Sequence, residues 1–265
     1  MPLIHDVGAD DLTVLQHIKD TLLQIKQPFF FYYNTNATHG PYQNASPYIK
    51  DFGDVQSRYG KALFITDKIV ETIVSILKEK GAYDRTIFIF TADHGDYAVK
   101  RRQRLSSFFK EALSIPMMFR FPKDWITQHP EAYNHIQQNA NKRIINLDIA
   151  PTVYDLLYHK KARNNPFFKG QSLFDSITNQ RLISCLSTND TRHYSAEGFG
   201  FYQRDESFLY HDHSGFHYYR LKDDPNQLRD LIDSLSPDKR AYYDSIVHSN
   251  GYFEAILEDT IPKSV

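Results

Sequence analysis

Two uninterrupted apolar stretches, residues 28–33 (PFFFYY) and 86–91 (TIFIFT), constrain this chain more than any other feature of its sequence. A strand with one wet face alternates apolar and polar residues. A run with no polar interruption is what a strand buried on both faces requires, and such strands belong to parallel sheets covered by helices. The neighbouring segments read as those helices. Leu12, Leu15, Ile18, Leu22 and Ile25 recur at helical spacing behind Asp10 and Asp11, which can cap a helix start, and the run stops before Pro28. Ala62, Ile65, Ile69, Ile73, Ile76 and Leu77 mark a second, longer helix, with Lys78 and Lys80 in its last turn and Gly81 just beyond.

Further strands are expected at 115–121 and at 143–146, the second leading into a helix whose first turn holds Asp148 and Pro151. Alternating strands and helices predict an α/β core with a parallel sheet. After Pro166 the texture changes to short strand-like runs at 181–187, 198–210 and 216–221 separated by Asp, His, Ser and Gly, followed by a helix over 237–258. The expected organisation is therefore a core over 1–165 and a small antiparallel subdomain over 166–265.

A length of 265 residues is enough for a sizeable core, and a formal charge of -1 gives no reason to expect nucleic acid or a membrane surface as partner. The first residues lack the basic-then-apolar pattern of a secretory signal, and no apolar segment is long enough to span a bilayer, which leaves the compartment open. Cys185 is the single cysteine, which excludes an internal disulfide and any metal site built on paired thiolates.

The chemistry-bearing segment is Thr91-Ala92-Asp93-His94-Gly95-Asp96, a carboxylate beside an imidazole at the carboxyl end of a strand. That edge is where open α/β sheets bind ligands, and adjacent residues leaving a strand can both reach one cation. On its own the tripeptide Asp-His-Gly also occurs in ordinary turns. Likewise, His39 alone reads as a loop histidine beside Pro41.

The order of motifs decides between these readings. The apolar run 29–33 leads into Thr38-His39-Gly40-Pro41-Tyr42; a long helix follows, then Asp93 to Asp96. Next come Glu111-Ala112-Leu113 with Pro116, Met117 and Met118; Asp148-Ile149-Ala150-Pro151-Thr152-Val153; Gly170-Gln171-Ser172-Leu173; and Tyr219-Arg220-Leu221 with Asp224-Pro225 and Leu231. In this order the series resembles the sulfatase branch of the alkaline phosphatase superfamily. The resemblance implies an alkaline-phosphatase-like, mostly parallel sheet flanked by helices, with a small carboxy-terminal antiparallel α+β subdomain. It makes Asp93 and His94 ligands of a divalent metal (calcium, magnesium, manganese or zinc) and His39 a donor to the substrate anion or the acid that protonates the departing oxygen. Such roles suit the chemistry, because ester hydrolysis at sulfur or phosphorus needs positive charge on non-bridging oxygens and a proton for the leaving group.

Departures from the family pattern shape the functional expectation. The family's lysine ahead of Glu-Ala-Leu falls at Leu105, with Arg104 beside it as a stand-in cation, and Ala98 and Val99 stand where glycine is common. The paired acids of a first strand and the Cys/Ser-x-Pro-x-Arg nucleophile motif are not found, and Cys185 has the wrong sequence around it. His211, Asp212, His213 and His217 read as a solvated hairpin turn. The expectation is a sulfatase-like, metal-dependent hydrolase of a small-molecule or glycan sulfate or phosphate ester. This chain would supply the carboxy-terminal half of the site and be inactive alone, completed by an amino-terminal half or a second copy. A phosphoethanolamine- or phosphoglycerol-type transferase and a non-catalytic binding subunit stand as alternatives.

Overall fold

The computed structural model describes residues 3–5, 8–40, 42, 48–95, 109–158, 162–188, 196–211 and 214–258. The chain forms two compact units, Met1–Ile87 with Phe121–Lys123, and Phe88–Arg120 with Asp124–Val265.

In the first unit a short antiparallel ribbon, β1 (Leu3–His5) with β2 (Gly8–Ala9), precedes helix α1 (Asp11–Gln24). Asp10 caps α1: its Oδ2 accepts from the Thr13 amide at 2.7 Å and from the Thr13 hydroxyl at 2.6 Å, satisfying donors that a helix start leaves open. Helix α2 (Arg58–Glu79) is capped by the Ser57 hydroxyl, which accepts from Gly60 N. It ends as its sequence predicts. Gly81 adopts φ +67, which lets Ala82 N donate to Leu77 O and Gly81 N donate to Lys78 O. The apolar faces of the two helices meet through Leu12, Leu15, Ile65 and Ile69, and Lys19 pairs with Glu79 at 2.8 Å.

The strand expected at 28–33 is not formed: the segment is extended, but no strand pairs with it among the described residues. Its side chains alternate. Phe31 and Tyr33 pack on the α1–α2 core, while Phe30 and Tyr32 are 80% and 74% exposed. With aromatic residues at every position from 29 to 33, the sequence could not show which side would find a neighbour.

In the second unit the strand expected at 86–91 is β3 (Phe88–Thr91) and that at 115–121 is β4 (Met117–Arg120). The two pair antiparallel, with Phe88 opposite Arg120 and Thr91 opposite Met117. The parallel pairing inferred from strand–helix alternation therefore does not hold for these two. The one described helix between them, α3 (Lys110–Leu113), has only four residues, and an antiparallel return needs no helical crossover. Helices α4 (Lys123–Gln128), α5 (Pro130–Asn139) and α6 (Ile149–Tyr158) follow. The strand expected at 143–146 is absent. Ile145 is extended, but its amide donates to the Asp148 carboxylate, which turns the chain into a 3-10 turn (Asn146–Asp148) instead of along a sheet.

The carboxy-terminal region carries β5 (Ile183–Thr188), β6 (Ala196–Gln203), β7 (Glu206–His211) and β8 (Gly215–Arg220) as one antiparallel sheet in sequence order. The run expected at 198–210 is thus a hairpin of two strands. One face presents Phe199, Phe201, Phe208 and Tyr218 to Tyr243 and Val247 of α7 (Pro237–His248) and to Phe253 and Ile256 of α8 (Gly251–Leu257). Phe208 and Tyr243 stack with ring centres 4.4 Å apart. The other face buries Tyr202, Leu209, Tyr219 and Leu221 against Phe109. The α/β class expected from the sequence, with an antiparallel α+β region at the carboxyl end, is what the chain adopts.

Candidate functional site

Strand β3 delivers Asp93 and His94 two and three residues beyond its last residue, Thr91. The Asp93 carboxylate turns back to accept from His94 N through Oδ1 at 2.9 Å. The His94 ring places Nδ1 2.7 Å from the Gly95 carbonyl oxygen. A carbonyl only accepts, so Nδ1 carries the proton and Nε2 presents its lone pair, the tautomer a metal-ligating histidine needs. His94 Nε2 lies 3.8 Å from Asp93 Oδ2, and both side chains are open to solvent, 50% and 86% exposed respectively. Two ligand bonds of about 2.1 Å to a shared ion span at most about 4.2 Å, so these atoms fit a common cation. Among the described residues no group of three or more His, Cys, Asp or Glu gathers as a complete metal cage; the pair is a partial donor set.

The loop is held from three sides. Gly95 N donates to Ala112 O at 2.7 Å, and a Cβ at Gly95 would collide with the Glu111 carbonyl oxygen, so only glycine lets the loop lie this close to α3. The start of α3 is tied to the carboxy-terminal sheet: Lys110 N donates to Gln227 Oε1 at 2.6 Å, and Gln227 Nε2 donates to the Ser207 hydroxyl at 2.9 Å. Asn146 clamps the strand end by accepting from the Thr91 hydroxyl at 3.0 Å and donating to Ala92 O at 2.8 Å. It is anchored through its neighbour Asp148, whose fully buried carboxylate takes a bidentate pair from Arg181 at 2.7 and 2.9 Å and also accepts from Gln171 N. This explains two of the sequence motifs. Asp148 and the Gly170 to Leu173 turn are joined directly, and Leu173 N donates to Thr152 Oγ1.

His39 belongs to the first unit, and its ring is held in the same manner as that of His94, with Nδ1 2.6 Å from the Gly40 carbonyl. The loop carrying it is fixed by Asp11, whose Oδ2 accepts from Asn36 N at 3.0 Å and Ala37 N at 2.9 Å, while the Tyr33 hydroxyl donates to Asp11 O. Burial pushes the Asp11 carboxyl above its ordinary value, against the pull of these two amides. Sequence reading took Asp11 as part of a helix cap and placed Asn146 in a strand. Nothing local in a single sequence marks either as a positioning residue.

Arg104, with Asp96, Ala98, Val99 and Leu105, lies outside the described residues. Cys185 packs among the sheet residues facing Phe109, and burial pushes its thiol up to about 12, which makes it a poor nucleophile.

With this geometry in view, the comparisons define a class. The chain resembles the crystal structure of a protein in the alkaline phosphatase superfamily from Vibrio parahaemolyticus, with a TM-score of 0.61, 17% identity and 98% of this chain covered. The fold is therefore that of the superfamily. Residues 3–159 match the family model for sulfatases, and the chain belongs to the sulfatase family. Among curated proteins it is 35% identical over 83 residues, or 29% of its length, to the uncharacterized sulfatase YdeN of Escherichia coli (strain K12). It is 29% identical over 99 residues, or 36% of its length, to human N-acetylgalactosamine-6-sulfatase. The chain spans 57% of the Vibrio structure, and the matched segments cover 15% and 18% of the two relatives.

Proposed function

We propose that this chain supplies part of a sulfatase site that hydrolyses a sulfate ester of a sugar, with phosphate esters as the related alternative substrate. The observation that carries the reading is the paired presentation of Asp93 Oδ2 and His94 Nε2, with the ring tautomer set by the Gly95 carbonyl. These two residues would hold a divalent cation, which supplies positive charge against the non-bridging oxygens of the ester. His39, with Nδ1 engaged by the Gly40 carbonyl, would act as an imidazolium, donating from Nε2 to the ester anion or protonating the leaving oxygen, and Arg104 would add a second cation. Support for a sugar substrate comes from the human relative, named for a galactosamine 6-sulfate.

The nucleophile and remaining acidic ligands would come from an amino-terminal segment or a second polypeptide, leaving this chain inactive alone. The same completion would cover Phe30 and Tyr32, whose aromatic surface also suits a second copy of the chain. That exposed surface equally favours a second reading, a non-catalytic subunit that binds a partner.

Calorimetric titration with manganese, zinc and calcium tests the ligand pair: Asp93→Ala and His94→Ala should each weaken binding at least tenfold. Joining the chain to a sulfatase amino-terminal segment should then yield hydrolysis of aryl sulfates and sugar 6-sulfates. Unchanged metal affinity in both variants would refute the ligand assignment. A folded, completed protein inert toward sulfate and phosphate esters with every metal would leave the binding-subunit reading in its place.

A further inference from the structure

The turn joining β7 to β8 carries a second constellation, remote in sequence from Asp93 and independent of the metal-site reading. Ser214, exposed on the turn, has its Oγ 2.7 Å from His217 Nε2, and His217 Nδ1 lies 2.7 Å from Asp230 Oδ2. Asp230 is itself fixed, because its Oδ1 accepts from Tyr218 N and Ile232 N, each at 3.0 Å. An ionised carboxylate only accepts, so the His217 proton sits on Nδ1. The Nε2 lone pair then faces the Ser214 hydroxyl, which donates to it. The base is shielded, its side chain 20% exposed, while the hydroxyl stands at the surface. Nucleophile, base and orienting carboxylate thus occupy the relative positions that activate a serine for acyl transfer.

We infer that Ser214, His217 and Asp230 form a second reactive site, one that takes small carboxylic esters at the surface of the carboxy-terminal sheet. Ser214 is the nucleophile, His217 the base, and Asp230 the positioning residue. Rings of Tyr219 and His211, centred 6.5 and 5.7 Å from that of His217, pack beside the base. In the first half-reaction Oγ forms a bond to the carbonyl carbon as its proton passes to His217 Nε2. The carbon–oxygen bond to the alcohol then breaks, and the departing alkoxide takes that proton. Water repeats the sequence on the acyl-serine, its proton moving to Nε2 and then to Ser214 Oγ as the acid leaves. The net reaction is ester plus water to acid plus alcohol.

The test uses the full chain with a fluorophosphonate probe, which loses fluoride as Ser214 Oγ bonds to phosphorus, and with p-nitrophenyl acetate. Intact and peptide mass spectrometry should place one adduct on Ser214. Ser214→Ala should abolish it, and His217→Gln should slow labelling and ester cleavage at least tenfold. Asp230→Asn should lower the labelling rate comparably and change its pH dependence. A merely structural role would leave that pH profile intact, and the melting temperature of each variant reports folding separately. Equal labelling of Ser214→Ala, adducts spread over other serines, or no adduct on a folded chain would each overturn the assignment.

Discussion

In the β5–β8 sheet the aromatic residues that alternation turns toward α7 and α8 meet rings from those helices, as Phe208 meets Tyr243 and Phe199 and Phe201 meet Phe253. Elsewhere in the chain, other large apolar residues remain in solvent. Phe30 and Tyr32 project from an unpaired extended segment, and Met118 of β4 is 56% exposed. Both regions are rich in large apolar side chains, so composition does not separate them. What separates them, among the described residues, is whether another element packs against the apolar side chains. The carboxy-terminal sheet is covered by helices that follow it closely in sequence, whereas among the described residues no strand lies beside the segment at 28–33. The first region can stabilise itself; the second presents surface that stabilises by being covered.

The largest effect should come from the self-covered region. Phe208→Ala removes a fully buried ring from the centre of the aromatic stack and should cost about 3–5 kcal/mol in urea denaturation. A loss under about 1 kcal/mol would mean that this core is not closed as described. Asn146→Ala removes both hydrogen bonds that clamp the end of β3 and should cost about 1–3 kcal/mol. It should also weaken divalent-metal binding, because the loop carrying Asp93 and His94 loses its anchor; an unchanged affinity would make the clamp purely structural. Phe30→Ser should change stability by no more than about 0.5 kcal/mol, since the ring touches little. It should nonetheless reduce self-association measured by light scattering, and a large destabilisation would show that the aromatic face is already covered.

The helices were readable because their signals are local. Asp10 and Ser57 stand one residue before α1 and α2, and Gly81 stands just past the second. The Asp93–His94 pair was readable for the same reason: its members are adjacent in the chain and follow a strand-like run. The segment at 28–33 was not, because a row of aromatic residues hides which face will be buried. The expected strand at 143–146 failed because a carboxylate two residues further on captures the Ile145 amide, a competition hydrophobic patterning cannot register. The Ser214–His217–Asp230 arrangement was missed in another way. Its histidine stood out within a His-rich turn, but the aspartate that orients it is 13 residues distant and arrives only through folding.

The buried Asp11 carboxylate has a consequence for proton linkage. Its folded-state pKa lies above the unfolded reference of 3.8, so the folded chain holds this proton more tightly than the unfolded one. The stabilisation it brings is complete below the unfolded value and fades as pH climbs through the folded one. Acidification through that window therefore raises the stability of the fold instead of lowering it, the reverse of what a salt-bridged aspartate would do.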